Sequence, residues 1–377
     1  MSTPDRASWP VHLGDLTVTM SGPLPWALEQ QAVLADYLPG PIGRHDLGHL
    51  RLDVDHDDRR VRQLTTTATV RPGARRIETI PGVTAIEAAD GPRSRVLTVA
   101  ADGLEGEHGT HAVRVTGGHI ELLIHSASRR QHRLPLRLLR EAMIRSYENA
   151  GATLLHAAGA TVRGVGVALC GPRASGKTTT LAALLAATIG DLLSNDRLLL
   201  PPGDAGEQAL VAVPLPVPLA RGTIDAVDSV RASLATTRRP RPPLESLPRV
   251  FGSSVKAELT AREFATAMGG RITAGARLGL LVVPRLTDDT TPFSTRPLPP
   301  AEAREVLAAS CFTPFDEFWL VPWLIPHRDG TDELTARSHR HLTTVAATTP
   351  AIEVRFGVRN PFARLVDGLR RILAGQL

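Results

Sequence analysis

The sequence predicts a mixed α/β protein of two domains, a smaller β-rich one over residues 1–133 and a phosphate-binding one over residues 134–377. Three observations predict it. The stretch Gly171-Pro-Arg-Ala-Ser-Gly-Lys-Thr178 lies between a short apolar run and an Ala- and Leu-rich segment, the strand–turn–helix order of a phosphate loop. Much of the chain before residue 133 alternates apolar and polar residues, the period of half-buried strands. A length of 377 residues is enough for two or three cores.

Composition narrows the classes. With 42% hydrophobic and 21% charged residues the chain is globular rather than disordered. Aromatics make up only 4%, so the core rests on Leu, Val, Ile and Ala. The net charge of +5 suits an anionic partner. The basic residues are spread along the chain and not interleaved with aromatics, which argues against nucleic acid. Cys170 and Cys311 are the only cysteines, which excludes a thiolate zinc site and argues against a disulfide framework. The first residues lack the basic start and apolar core of a signal peptide, and no apolar run approaches a membrane span. The expectation is a cytoplasmic protein with no membrane partner.

In order along the chain, Leu16–Met20 alternates as a strand and Trp26–Leu38 has helical spacing. His49–Asp55 and Arg60–Val70 flank a polar turn and read as a hairpin. Ala112–Val115 and His119–His125 read as a second pair around Gly117-Gly118. The residues His45, His49, Asp53, Asp55, His56, Asp57 and Asp58, and the pair His108 and His111, are of metal-ligand type. No helix fixes their spacing and no zinc motif is present, so they read as solvated turns. Arg129-Arg130-Gln-His-Arg133 reads as a solvated linker.

A helix is expected from Pro135 to Asn149, with Leu139, Met143 and Tyr147 on one face. Ala152–His156 reads as a strand, residues 157–164 as a turn and a second short strand, and Val165–Cys170 as the strand before the phosphate loop. A helix follows from about Lys177. Gly190–Asp196 reads as a strand ending in Asn195 and Asp196. Pro201–Pro218 is extended, and Arg238-Arg-Pro-Arg-Pro-Pro243 is a basic loop or a lid over phosphates. Lys256 precedes a helix over Thr260–Met268. Leu278–Pro284 is a buried strand, Pro300–Ala309 a helix, Phe315–Ile325 core, and Asn360–Ala374 a closing helix.

The phosphate loop carries the chemistry. Glycines let the backbone turn tightly and bring its N–H groups to a phosphate. The binding set is Gly171, Pro172, Arg173, Ala174, Ser175, Gly176, Lys177, Thr178 and Thr179. Lys177 would reach the β- and γ-phosphates, and the Thr178 hydroxyl would hold Mg²⁺. The chain has two lysines, Lys177 and Lys256, and otherwise uses arginine, so a lysine at this position stands out. An acid must complete the Mg²⁺ shell. Asp196, at the end of a neighbouring strand, fits best, with Asp288 and Asp289 as rivals.

The order of a strand bearing His156, a strand, Gly171–Thr178, a helix and then Ser194-Asn195-Asp196-Arg197 resembles the catalytic domain of HPr kinase/phosphorylase. That family shares its phosphate-loop fold with phosphoenolpyruvate carboxykinase. The resemblance is clear over residues 136–200, and residues 1–133 match no family. It implies a mixed sheet with flanking helices, preceded by a smaller β-rich domain for substrate or partner binding. It also implies ATP and Mg²⁺, assembly into a homo-oligomer and a place in biosynthesis. The activity implied is transfer of the γ-phosphoryl group of ATP to a hydroxyl of a small molecule or of a Ser in a peptide or protein. His156, Lys177, Asn195, Asp196 and Arg197 are the catalytic residues implied, with Thr178 and Asp196 on the metal. Arg173 and Arg197 would neutralise developing charge.

The sequence departs from the family in two places. Asn195 stands where relatives carry the acid that takes the hydroxyl proton, and an amide has no useful basicity. The proton would go to His156 or to the phosphate itself. Ala174 stands where many relatives have a further glycine. Two other readings stay open. One is a nucleotide-binding regulatory module impaired in catalysis. The other is a carboxykinase, for which Lys256 is the only spare lysine.

Overall fold

The computed structural model describes residues 5–43, 46–80, 83–99, 110–126, 132–188, 190–203, 207–237, 241–315 and 324–376. The chain folds as two compact units. One comprises Met1–Ala35, Gly40–Asn149 and Pro314–Arg328. The other comprises Asp36–Pro39, Ala150–Thr313 and Asp329–Leu377. No helix among the described residues is long and apolar enough to cross a membrane.

The first unit contains β1 (Arg6–Gly14), β2 (Leu16–Pro23), α1 (Leu24–Ala35), β3 (Gly40–Pro41), β4 (His49–His56), α2 (Asp58–Val70), β5 (Arg75–Ile80), β6 (Val83–Ala89), β7 (Ser94–Val99), β8 (His111–Thr116), β9 (His119–Ile124) and α3 (Arg133–Asn149). Its nine-stranded sheet runs β3-β1-β2-β4-β9-β8-β7-β6-β5. The β5-to-β9 half is an antiparallel meander, and β4 joins β2 and β9 in parallel. The Gly117-Gly118 hairpin expected from the sequence is present, with Thr116 opposite His119.

The hairpin partner expected at Arg60–Val70 is instead the helix α2. Asp57 caps it, accepting the Arg60 N–H at 2.9 Å. Val61 and Ala68, seven apart, are buried against the sheet. The run of threonines that read as strand is accommodated because Thr65 and Thr69 donate to the carbonyls of Val61 and Thr65, one turn back. Helix α3 forms over the expected residues and packs with β1 and β2 in the first unit.

The second unit contains β10 (Thr153–Val162), β11 (Val165–Cys170), α4 (Lys177–Thr188), β12 (Leu192–Ser194), β13 (Arg197–Leu200), β14 (Ala209–Ala212), β15 (Val217–Leu219), α5 (Arg221–Ala226), α6 (Asp228–Thr236), β16 (Ala257–Leu259), α7 (Ala261–Ala267), β17 (Gly275–Thr287), β18 (Ser294–Pro297), α8 (Pro300–Ala309), α9 (Thr331–Thr348), β19 (Ala351–Gly357) and α10 (Phe362–Gln376). The eight-stranded mixed sheet runs β11-β10-β13-β14-β17-β19-β18, with β12 on β10. Strand β11 also pairs in parallel with β17, so the sheet curls back on itself there.

The two short strands expected around residue 157 are one continuous strand, β10. Its turn comes later, at Arg163 and Gly164, both at positive φ (51° and 81°). That is the two-residue turn whose twist matches an antiparallel pair, here Val162 opposite Val165. The expected helix at Thr260–Met268 is α7, held by a capping box between Thr260 and Glu263. His45, His108, Arg129, Arg130, Arg238–Pro240 and residues 316–323, each given an expectation above, lie outside the described residues.

Candidate functional site

The cradle begins where β11 ends. Cys170 is buried, and burial pushes its thiol up to about 12, so it acts as a small apolar residue. Residues 171–176 turn the chain into α4, whose inner face (Leu181, Ala182, Leu184, Leu185) is buried. The glycines are forced by space. A Cβ on Gly176 would sit 2.6 Å from the Leu286 side chain, and its φ is 95°. A Cβ on Gly171 would meet the Ser175 hydroxyl at 2.9 Å. The Leu286 N–H donates to the Ser175 carbonyl at 3.1 Å, tying the loop to β17. Ala174 sits at φ 64°, a left-handed position that costs a non-glycine residue about 1 kcal/mol.

Lys177 is almost fully buried, and its Nζ donates to the Gly171 carbonyl at 2.8 Å and the Pro172 carbonyl at 3.1 Å. The lysine therefore spans the turn and leans on main-chain oxygens. The first N–H groups of any helix have no intrahelical acceptor, so the start of α4 adds donors to the same spot. The Ser175 Oγ is buried beside them and has no hydrogen-bond partner among the described residues.

Two neighbouring residues face this cradle in different ways. The tight link between β12 and β13 is Asn195-Asp196. Thr178 Oγ1 donates to Asn195 Oδ1 at 3.1 Å, and Asn195 is buried. Asp196 is held by other partners. Its carboxylate lies 3.1 Å from His156 Nε2 and 2.7 Å from Arg197. Burial alone would raise this carboxyl. The His156 hydrogen bond and the charges of Arg197, His156 and Lys177 outweigh it and hold the group down at about 2. His156 projects from β10, directly opposite Arg197 of β13.

One residue that sequence reasoning missed completes this group. Phe312 stacks on the His156 ring with centroids 4.9 Å apart, and the Arg197 guanidinium lies 5.1 Å from the centroid of the Phe312 ring. Residues 310–313 run beside β10: the His156 N–H donates to Ser310 and the Phe312 N–H to Leu154. No local motif announces Phe312. Lys256 is the second addition. It sits just before β16 and interacts electrostatically with both Asp196 and Arg173. Loss of solvation lowers its ammonium, Asp196 pulls it up and Arg173 pushes it down. Just before it, a Cβ on Gly252 would lie 3.4 Å from the Ala174 methyl, so this turn lies over the loop.

The structure therefore brings together Lys177, Thr178, Asn195, Asp196, His156 and Arg197, with Arg173 joined through Lys256. The Thr179 hydroxyl lies 2.9 Å from that of Thr223 of α5. The rival acids are occupied elsewhere. Asp289 accepts from the Thr287 hydroxyl and the Thr291 N–H, and Asp288 pairs with Arg359 at 3.1 Å.

With that geometry in place, known proteins can be set beside it. No family model and no curated protein matches the chain. Among solved structures, the Hpr(Ser) kinase/phosphatase from Coxiella burnetii is similar over 59% of this chain and 91% of its own, at 10% identity and a TM-score of 0.25. That is a weak likeness of fold.

The described residues hold no group of three or more His, Cys, Asp or Glu side chains able to bind a metal. Mg²⁺ needs less from the protein. It is bound through one or two carboxylate or hydroxyl oxygens, with water and substrate phosphate supplying the rest. The Thr178 hydroxyl, the Asn195 amide oxygen and the Asp196 carboxylate are hard oxygen donors that fit that demand.

Proposed function

We propose that the second unit is an ATP-dependent kinase that phosphorylates a hydroxyl of a small molecule or of a Ser in a peptide or protein. The reading is carried by one observation: the buried lysine of a helix-starting glycine turn and a His156–Asp196–Arg197 group flank the same Thr178–Asn195 contact.

In this reading, loop N–H groups and Lys177 hold the β- and γ-phosphates of ATP, replacing the carbonyl oxygens that Lys177 now contacts. Thr178 and Asp196, with Asn195 beside them, would hold Mg²⁺, which neutralises phosphate charge when bound. The acceptor oxygen bonds to the γ-phosphorus, and the bond from that phosphorus to the bridging oxygen breaks, releasing ADP. His156 takes the acceptor's proton. Its Nε2 faces Asp196, and its Nδ1 makes no hydrogen bond among the described residues. Asp196 and Phe312 fix the ring. Arg173, Arg197 and Lys256 place positive charge around the transferring group.

Asn195 favours a second reading, a nucleotide-binding module without transfer. Its amide is committed to Thr178 and has no basicity. One experiment separates the two. The full chain is incubated with ATP, Mg²⁺ and a panel of hydroxyl acceptors, and products are read by mass for an added phosphate. The kinase reading expects product with the wild type. It expects a loss of about 100-fold with His156→Asn at unchanged ATP affinity, the usual worth of a proton acceptor. ATP bound with no product from any acceptor would support the module.

A further inference from the structure

The first unit carries a groove independent of the phosphate cradle. It has a volume of about 520 Å³ and lies at one end of the meander, lined by Arg75, Glu87, Arg93, Arg95, Leu324 and Pro326 among others. Strand alternation explains the lining. Ala88 and Val96 pack on Ala68 of α2. Glu87 and Arg95, one residue away on their strands, therefore point to the opposite face. Arg75 lies directly across from Glu87. The Leu324–Pro326 segment is pinned over that face. Arg95 donates to the Leu324 carbonyl at 3.1 Å, the Leu324 N–H donates to Glu141 at 3.2 Å, and Asn149 donates to the Pro326 carbonyl at 3.0 Å.

The charge of this groove is unbalanced. Three guanidiniums line it against one carboxylate. Glu87 is already shared, 2.6 Å from Arg75 and 3.5 Å from Arg95. Acids elsewhere in the unit are shared in the same way. Asp90 lies between Arg71 and Arg114, and Glu121 between Arg60 and Arg114. Arg93 is exposed on the turn between β6 and β7 and pairs with no acid among the described residues. The lining thus keeps a surplus of two positive charges in a space of small-molecule size. Guanidinium forks match the planar or tetrahedral oxygens of carboxylates and phosphates.

We propose that this groove binds a small ligand carrying two negative charges, a dicarboxylate or a phosphate monoester. The ligand oxygens would meet Arg75, Arg93 and Arg95 together. Glu87 keeps two of those side chains oriented when the groove is empty.

The test is calorimetric titration of the full chain at low ionic strength with glutarate and glycerol 3-phosphate, and with glycerol as the neutral control. Saturable binding of at least one charged probe is expected, weakening as salt is added. Binding of one probe alone tells which oxygen chemistry the groove takes. Arg93→Gln is expected to weaken binding about tenfold, the worth of one charge-assisted hydrogen bond. Replacing Arg93 and Arg95 together should abolish it. Lys177→Ala should leave it unchanged. No saturable binding up to about 10 mM would overturn the proposal. So would full affinity in the double variant, or binding lost in Lys177→Ala instead. Should the double variant fail to fold, Arg93→Gln alone decides, because its guanidinium pairs with no acid among the described residues.

Discussion

Each unit buries a cluster of the same residue types, and the two clusters do different work. In the first unit, Arg145 and Glu148 of α3 are sealed from solvent and form an ion pair. His327 lies 2.9 Å from that carboxylate and 3.2 Å from the guanidinium. In the second unit, His156, Asp196 and Arg197 form a similar trio, but the Asp196 side chain keeps 30% exposure and His156 keeps 17%. In the first trio the ion pair itself is shut off from solvent, and only His327 keeps some exposure, at 12%. The open trio stands beside a lysine whose ammonium rests on main-chain carbonyls that a phosphate can displace. A buried cluster of charge is therefore not a sign of chemistry by itself. Access, together with donors held by weak substitutes, is what distinguishes the second.

Breaking the sealed trio should produce the largest change in stability. Glu148→Ala leaves the Arg145 charge buried without its carboxylate and should cost about 3 kcal/mol. Chemical denaturation would show it, while ATP affinity under folding conditions should not move. A shift in ATP affinity would break the contrast between the clusters.

The open trio should respond to pH instead. The Asp196 carboxyl is held at about 2 in the fold, below its ordinary value of 3.8. A group depressed in this way stabilises the fold at pH values above its unfolded value. Its contribution, about 2 kcal/mol, is lost as pH falls from about 4 towards 2. Denaturation curves between those pH values should flatten in Asp196→Asn. An unchanged slope would show that the carboxylate is not held by its neighbours. The smallest effect belongs to the loop. Ala174→Gly relieves a left-handed alanine and should stabilise the second unit by about 1 kcal/mol, offset in part by the extra freedom glycine gains in the unfolded chain.

The legible parts of the molecule are those whose cause is local. The cradle could be read because an apolar strand, two sterically required glycines and one lysine in an arginine-rich chain are adjacent in sequence. The α7 capping box and the Gly117-Gly118 hairpin are local in the same sense. Helix α2 was not legible, because its threonines satisfy their hydroxyls on the previous turn and the apolar period is carried by few residues. The continuity of β10 was hidden because Gly159, which read as a turn residue, lies in mid-strand where a Cβ would strike Leu198 at 2.8 Å. Phe312 and Lys256 reach the site only through tertiary folding, and nothing beside them in sequence points to His156 or Asp196.

The central claim is that Lys177 and its loop hold the phosphates of ATP. Its most direct measurement is titration of ATP and Mg²⁺ into the wild type and Lys177→Ala, with circular dichroism to show that both are folded. The account predicts saturable binding to the wild type and a loss of about 100-fold or more in the variant, the scale of one or two charge-assisted hydrogen bonds. Equal affinity in a folded Lys177→Ala would contradict it.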